Sequence, residues 1–189
     1  MSFFRFKIAN SLTHRQKIGL GLIFLGGLFF LGFLVIKIYF SSPLSFSQKP
    51  QFEIESSEEQ YPARIIVPSL KIDLPVFPAK AEGEKWEIFE DAASYLLGSG
   101  IPGKQGNVVI YSHNKRHLFG TLLGIKKETE IKIENKKGES FSYEVFETRV
   151  VSPAQIEILL PTEESILTLY TCTGFTDSKR FIVIAKLNK

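Results

Sequence analysis

The sequence predicts an all-β domain of about 130 residues, an antiparallel barrel or sandwich, that follows one N-terminal transmembrane helix. Three observations support this fold class. Beyond residue 60 the chain alternates short β-branched runs with Gly- and Pro-containing turns, and its helical signals are brief. It carries no internal repeat of useful period, which argues against a solenoid. One uncharged apolar segment, residues 18–36, precedes the β-rich part.

The apolar segment has the length of a membrane-spanning helix. At about 1.5 Å per residue its nineteen residues span roughly 28 Å, close to the ~30 Å hydrocarbon core of a bilayer. We therefore assign residues 18–40 to a transmembrane anchor. A cleaved signal peptide is the alternative. Its apolar region usually has about 7–15 residues and ends in an A-x-A-like site, whereas this longer run is followed by SSPLSF.

The charges divide unevenly along the chain. The net charge is +3, yet the residues after Phe40 hold all 20 Asp and Glu with 18 of the 23 Lys and Arg, which leaves −2 for this part. The basic head, residues 1–17, carries Arg5, Lys7, Arg15 and Lys17 and no acid. This head predicts a cytoplasmic N-terminus and an extracytoplasmic location for everything after residue 40. The mildly acidic body argues against nucleic acid as a partner.

The extracytoplasmic part divides into a tether and a domain. Residues 41–60 are polar and rich in Ser and Glu, which predicts a flexible linker. Residues 61–189 form the predicted domain. Its expected elements, in order, are edge strands in residues 63–77, a loop-rich stretch at 80–106, strands at 107–112, 129–135 and 140–152, one or two helical turns at 155–160, and a hairpin of residues 167–172 and 181–187.

The final hairpin contains the sole cysteine of the chain. Cys172 ends one apolar run, and Arg180 opens the next after a seven-residue loop. Antiparallel pairing of the two runs would bring the thiol and the guanidinium face to face. A single cysteine outside the cell indicates a reactive thiol or an intermolecular bridge; the alternative is a buried, inert side chain.

His113 completes a set of residues able to perform acyl transfer on an amide. A thiolate is the nucleophilic form of cysteine, and a nearby imidazole or guanidinium stabilises it. A histidine can protonate the leaving amine, and an arginine can donate two hydrogen bonds to a developing oxyanion. Each of His113, Cys172 and Arg180 lies where a strand run meets a loop.

Several stretches resemble the sortase family. TLYTC at 168–172 with KRFIVIAKL at 179–187 resembles the sortase signature, in which Thr-Leu-x-Thr-Cys ends one strand and an Arg opens the next. ARIIVPSLKIDLPV at 63–76, GIPGKQGNVVIYSHN at 100–114 and HLFGTLLGI at 117–125 resemble the opening strands, the segment before the catalytic histidine and the segment after it. The resemblance covers nearly all of residues 61–189, in the family's order and spacing.

This resemblance implies a closed antiparallel barrel of about eight strands with short helices, and a role for each site residue. Cys172 would be the nucleophile that forms a thioacyl intermediate, His113 the general acid and base, and Arg180 the group that orients the substrate and stabilises the oxyanion. Further substrate contacts are predicted at Thr171, Ile156, Ile158 and Leu159, with ordinary core packing as the alternative for the three apolar residues.

The resemblance also implies the substrates. Sortases cleave a Leu-Pro-x-Thr-Gly-like motif after its Thr and pass the acyl group to an amine of the cell wall or of a pilin-like protein. They need no redox cofactor, and calcium assists some of them. Glu128, Glu130 and Glu134 are interpreted as a solvated strand face, with a calcium site as the alternative. His117 lies four residues after His113, but no further ligand is placed nearby, so no metal site is predicted.

Two other functions are compatible with the sequence. A cysteine protease would use the same residues with water as acceptor. A non-catalytic, membrane-anchored barrel that binds envelope components would leave Cys172 inert. The sequence leaves the sorting motif, the acceptor amine, and the choice between wall anchoring and polymerisation open.

Overall fold

The computed structural model describes residues 13–40, 44–48, 57–83 and 85–188. The chain divides into two compact units, one ending at Phe40 and one beginning at Ser41. The first contains a single described helix, α1 (His14–Phe40), whose apolar stretch is long enough to cross a membrane. The predicted N-terminal apolar helix is thus confirmed as an element. Residues 1–12 of the predicted basic head lie outside the described residues.

The second unit is a closed eight-stranded barrel with a small two-stranded sheet beside it. The strands are β1 (Pro62–Val67), β2 (Ile72–Ala79), β3 (Ala81–Glu82), β4 (Lys85–Trp86), β5 (Ala93–Leu96), β6 (Gly106–Tyr111), β7 (Glu130–Asn135), β8 (Ser140–Val151), β9 (Ser165–Thr173) and β10 (Lys179–Leu187). Short 3-10 turns lie at Glu58–Gln60, Pro68–Leu70, Phe119–Gly124, Ile156–Leu159 and Phe175–Asp177. The predicted closed barrel with short helices is confirmed.

The strand order around the barrel is β1, β2, β5, β6, β9, β10, β8, β7, and β7 pairs with β1 to close it. Six of these pairs are antiparallel, as predicted. The β2–β5 and β6–β9 pairs are parallel, which the sequence did not indicate. A parallel pair brings the carboxyl ends of both strands to the same edge. The loops that follow β6 and β9 therefore leave the barrel side by side.

Alternation along the strands separates two hydrophobic clusters. The inner cluster fills the barrel with mostly aliphatic side chains, such as Val108 and Ile110 of β6, Leu167 and Leu169 of β9, and Val183 of β10. The residues between them form an outer cluster on the opposite face of the same strands: Val109, Tyr111, Tyr170, Cys172 and Ile182, with Ala79, Leu96, Trp86, Val151 and Leu159 around them. Both faces of these strands are therefore covered.

A short segment of the predicted linker contributes to the outer cluster. We call residues 44–48 the strap. Leu44, Ser45 and Phe46 are buried, at 2, 6 and 1% exposure, and Ser47 N donates a hydrogen bond to Pro153 O at 2.9 Å. The sequence predicted a flexible linker here, because most side chains of residues 41–60 are polar. The two apolar side chains instead pack on the barrel; residues 41–43 and 49–56 lie outside the described part.

Candidate active site

The parallel β6–β9 pair brings His113 and Cys172 to the same edge of the barrel. Tyr111 pairs with Tyr170 in the strand register. The contact continues one residue further, because Ser112 N donates to Tyr170 O at 3.3 Å and Thr171 Oγ1 donates to Ser112 O at 2.8 Å. His113 and Cys172 are the next residues of these two segments, so both lie at the edge of the barrel where β6 and β9 end. Both residues stand at the carboxyl end of their strand.

Arg180 extends this row to a third strand. β10 runs antiparallel to β9, and Arg180 pairs directly with Cys172. Side chains two residues apart share a face of a strand, so Cys172 lies on the outer face with Tyr170, and Arg180 lies there with Ile182. The rings of Tyr111 and Tyr170 stack beneath the row, with centroids 5.0 Å apart and planes at 12°. The three predicted catalytic residues therefore form one row at a single edge of the barrel.

Arg180 is fully buried, at 0% exposure. Its Nη1 donates to the carbonyl oxygens of Asp177, at 2.8 Å, and Lys179, at 3.0 Å. Its Nη2 donates to the carbonyl oxygen of Ser45 in the strap at 2.8 Å. A buried cation must be well hydrogen-bonded, and these carbonyls also fix the plane of the guanidinium. The Nη2 donor is thus bound by the strap, which lies outside the barrel strands.

The thiol and the imidazole are both held toward their neutral forms. Burial raises the pKa of the Cys172 thiol to about 11, although the positive charge of Arg180 opposes this shift. Burial likewise lowers the pKa of His113, against the carboxylate of Glu90, which raises it. Glu90 Oε1 lies 3.5 Å from His113 Nε2, and Lys115 binds the other oxygen of the same carboxylate. Both shifts therefore favour the uncharged thiol and the uncharged imidazole.

The loop between Cys172 and Arg180 has a strained backbone. Thr176 and Asp177 adopt φ values of 52° and 59°, in the left-handed region that residues with a side chain rarely occupy. Such conformations cost energy and cluster at functional sites. Here the strained turn orients the Asp177 carbonyl toward the guanidinium of Arg180. Phe175, on the same loop, is 84% exposed at the rim of the site.

The remaining predicted contacts fall into two groups. Leu159 is buried in the outer cluster that contains Cys172, and Ile156 and Ile158 pack against that cluster. Thr171 differs from its prediction as a substrate contact. It lies between the outward-facing Tyr170 and Cys172, is fully buried, and its hydroxyl is bonded to the Ser112 carbonyl. It therefore ties the strand of Cys172 to the strand of His113 and does not face the site.

Several residues at the site were missed by the sequence reasoning. Leu44, Phe46 and Trp86 cover the outer face, and Glu90 contacts His113. Two signals were available: Leu44 and Phe46 are apolar residues in a polar stretch, and Trp86 is the single tryptophan of the chain. Cys172 is only 4% exposed beneath this cover.

Comparison with known proteins identifies the family. The Sortase family model, described as the sortase domain, matches residues 65–188. This match spans well over half of the chain and includes all three residues of the row. The chain belongs to the sortase family. Sortases as a family are cysteine transpeptidases, and the prediction of that family from the sequence is confirmed.

Curated sortases are 28% identical to this chain over the aligned residues. Sortase A of Streptococcus agalactiae serotype III (strain NEM316) is 28% identical over 160 residues, which cover 79% of this chain and 63% of that protein. Sortase A of Listeria monocytogenes serovar 1/2a is 28% identical over 129 residues, which cover 66% of this chain and 55% of that protein. This chain thus spans less than two thirds of the length of these relatives.

Solved sortase structures share the barrel. The lid mutant of sortase A from Corynebacterium diphtheriae superposes with a TM-score of 0.60 at 29% identity, over 70% of this chain and 73% of that one. The sortase D5 transpeptidase of Clostridium perfringens gives 0.59 at 25% identity, over 71% of this chain and 83% of that one. The eight-stranded sortase barrel is therefore the fold of this chain.

Proposed function

We propose that this protein is a membrane-anchored cysteine transpeptidase that cleaves a Leu-Pro-x-Thr-Gly-like sorting motif and transfers the acyl group to an amine. The single observation that carries this proposal is the row of His113, Cys172 and Arg180 on three neighbouring strand ends. A nucleophile, an acid–base group and an oxyanion donor are the three roles that acyl transfer requires. Membership of the sortase family supports the same reaction.

The reaction would proceed in two acyl transfers. The Cys172 sulfur, its proton passing to His113, attacks the Thr carbonyl carbon, and the C–N bond to Gly breaks as His113 protonates the leaving amine. The thioester on Cys172 is then attacked by the acceptor amine, whose proton passes to His113, and the thiol is regenerated. Arg180 would donate hydrogen bonds to the carbonyl oxygen as negative charge develops on it. No redox cofactor enters either step.

The charge pattern and helix α1 support an extracytoplasmic location for this reaction. The helix is long and apolar enough to span a bilayer, and the basic head favours a cytoplasmic N-terminus. The barrel would then lie outside the membrane, within reach of proteins that carry a sorting motif and of amine acceptors in the cell envelope. The acceptor would be either a cell-wall amine or a pilin-like protein.

The direct test is a transfer assay with the full-length chain in detergent. The substrates are a Leu-Pro-Ala-Thr-Gly peptide and triglycine, and mass spectrometry detects the ligated product. We expect ligated product from the wild type and none from Cys172→Ala, with unchanged near-ultraviolet circular dichroism in the variant.

The same assay separates the alternatives. Hydrolysed peptide with no ligated product, even at high triglycine concentration, would indicate a cysteine protease. Equal turnover by the wild type and Cys172→Ala would end the proposal. A Cys172 thiol that reacts with iodoacetamide no faster than a buried cysteine, even with the strap opened by Phe46→Ala, would favour a non-catalytic binding barrel.

A further inference from the structure

A buried asparagine on the outer face joins the barrel to the segment that follows β8. We call residues 156–160 the flanking segment, because Leu159 within it is buried in the outer cluster. Asn107 of β6 is 2% exposed, and its Nδ2 donates to Ile158 O at 3.1 Å and to Leu160 O at 3.2 Å. One side-chain amide therefore binds two carbonyl groups of the flanking segment.

The hydroxyl of Thr168 fixes the orientation of this amide. Thr168 of β9 is 1% exposed, and its Oγ1 donates to Asn107 Oδ1 at 2.7 Å. Because the hydroxyl binds the amide oxygen, the amide nitrogen is directed at the flanking segment. The side chains of Thr168 and Cys172 lie on the same face of β9, since they are four residues apart. We call Asn107 and Thr168 the anchor.

In the part of the chain that the structure describes, the anchor makes all the hydrogen bonds between the flanking segment and the barrel strands. The segment's other hydrogen bonds stay within its own loop; Leu160 N, for example, donates to Glu157 O at 3.2 Å. Ile158 and Leu160 also line a cleft of about 560 Å³, together with residues of β8 and β10. Packing therefore does not enclose the segment on every side, and the anchor sets its distance from β9.

We propose that the anchor holds the flanking segment in place for the sorting peptide, so that Asn107 and Thr168 are positioning residues for the transfer reaction. The inference rests on the proposed transpeptidase function. Substrate contacts are predicted at Ile156, Ile158 and Leu159, and the motif residue whose chemistry matches these aliphatic side chains is its Leu. Neither anchor residue belongs to the row, so both act through the segment and not on the reacting atoms.

A ratio of two substrates tests this inference whatever fraction of a variant is folded. The assay compares kcat/KM of the full-length chain in detergent for transfer of Leu-Pro-Ala-Thr-Gly and of Ala-Pro-Ala-Thr-Gly to triglycine. Asn107→Asp keeps the size of the side chain and the acceptor for Thr168 but loses both donors. We expect the preference for Leu over Ala to fall roughly 3–10-fold, the effect of a lost hydrogen bond. KM for the Leu peptide should rise and kcat should stay unchanged, because binding and not chemistry is affected.

Two further variants separate positioning from general destabilisation. Asn135 is also a buried asparagine, and its side chain binds the main chain of the β7–β8 turn, so Asn135→Asp should leave the preference unchanged. Thr168→Val keeps the shape of the side chain but removes the hydroxyl that orients the amide. It should lower the preference by less than Asn107→Asp does, and it replaces that variant if Asn107→Asp does not fold. Hydrogen–deuterium exchange at residues 156–160 should be faster in both anchor variants and unchanged in Asn135→Asp.

The outcomes distinguish this inference from the proposed function. If the wild type transfers Leu-Pro-Ala-Thr-Gly and the anchor variants keep the full preference for Leu, the inference is wrong and the transpeptidase stands. Unchanged exchange at residues 156–160 in both anchor variants would also overturn it, because the anchor would then not hold the segment. A loss confined to kcat, with KM and the preference unchanged, would contradict a positioning role for Asn107. If the wild type transfers neither peptide, the proposed function fails, and this inference fails with it.

Discussion

The inner and outer clusters lie on opposite faces of the same strands but differ in chemistry. The inner cluster is mostly aliphatic, with side chains such as Ile110, Leu169 and Val183 that need no hydrogen bond. The outer cluster contains a thiol, a buried guanidinium and a tyrosine hydroxyl that has no hydrogen-bond partner in the described part of the chain. The inner face is thus mostly aliphatic, with the hydroxyls of Tyr95 and Tyr143 hydrogen-bonded, and the outer face also holds the thiol and the guanidinium.

For the proposed transpeptidase, this difference would separate the residues that stabilise the barrel from those that act on the substrate. A closed barrel leaves no free edge strand, and its filled interior fixes the strands to which the row of His113, Cys172 and Arg180 belongs. The outer face carries the strained loop and the strap in addition to the row. Substitutions on the two faces should therefore have separable effects.

Truncation inside the barrel should have the largest effect on stability. Ile133 of β7 is fully buried in the inner cluster and remote in the strand order from the row. We expect Ile133→Ala to lower the free energy of unfolding by about 2–5 kcal/mol through lost burial and a residual cavity, and Ile133→Val by about 0.5–1.5 kcal/mol. Urea denaturation measures both. Transfer activity per folded molecule should stay unchanged, and a large loss of activity in the Val variant would contradict the division between the faces.

The second-largest expected effect is on transfer activity, through loss of the Arg180 guanidinium. We expect Arg180→Ala to lower kcat/KM for transfer roughly 10²–10³-fold, the effect of removing an oxyanion donor. Arg180→Lys should not restore it, because an ammonium cannot reproduce the planar fork that serves Asp177, Lys179 and Ser45. Steady-state kinetics with the peptide and triglycine measure both variants. Full activity of the Lys variant would show that charge alone suffices.

The juxtaposition of Cys172 and Arg180 was predictable because it depends on local pattern. The apolar runs before Cys172 and after Arg180 predict a hairpin, and the hairpin register alone sets these two residues opposite each other. His113 could be assigned to the same site only through the resemblance to sortases. Its position depends on the parallel β6–β9 pair, which joins strands about 60 residues apart in the chain, and pairing at that separation leaves no periodic signal in one sequence.

The packing of the strap on the barrel was not predictable either, for a different reason. Leu44 and Phe46 are isolated apolar residues in a polar segment, and composition averaged over residues 41–60 indicates a flexible chain. Their burial depends on a pocket that exists only after β4, β6 and β9 have come together. The orientation of Thr171 was missed similarly, since the strand register alone decides which face a side chain takes.

Removing the Phe46 ring from the strap should lower the pKa of the Cys172 thiol. Burial raises the Cys172 pKa to about 11 in the resting protein. Phe46→Ala admits water, and hydration favours the thiolate, so the pKa should fall. The rate of iodoacetamide alkylation, measured against pH, reports this directly because Cys172 is the sole cysteine. We expect the inflection of the variant at lower pH than that of the wild type, with Ile133→Val unshifted. Coincident inflections would mean that the strap does not desolvate the sulfur.

The smallest expected effect is a shift in the pKa of His113, which should have opposite signs in two matched variants. The carboxylate of Glu90 raises the His113 pKa and the ammonium of Lys115 lowers it. Glu90→Gln should therefore shift the acidic limb of the pH–rate profile for transfer to lower pH, and Lys115→Gln should shift it to higher pH. Both residues lie at the rim, with side chains 70% and 44% exposed, so salt should reduce both shifts. If the acidic limb shifts in the same direction in both variants, the substitutions alter the position of His113. If the two shifts have opposite signs and both decrease with added salt, Glu90 tunes the pKa of His113 electrostatically.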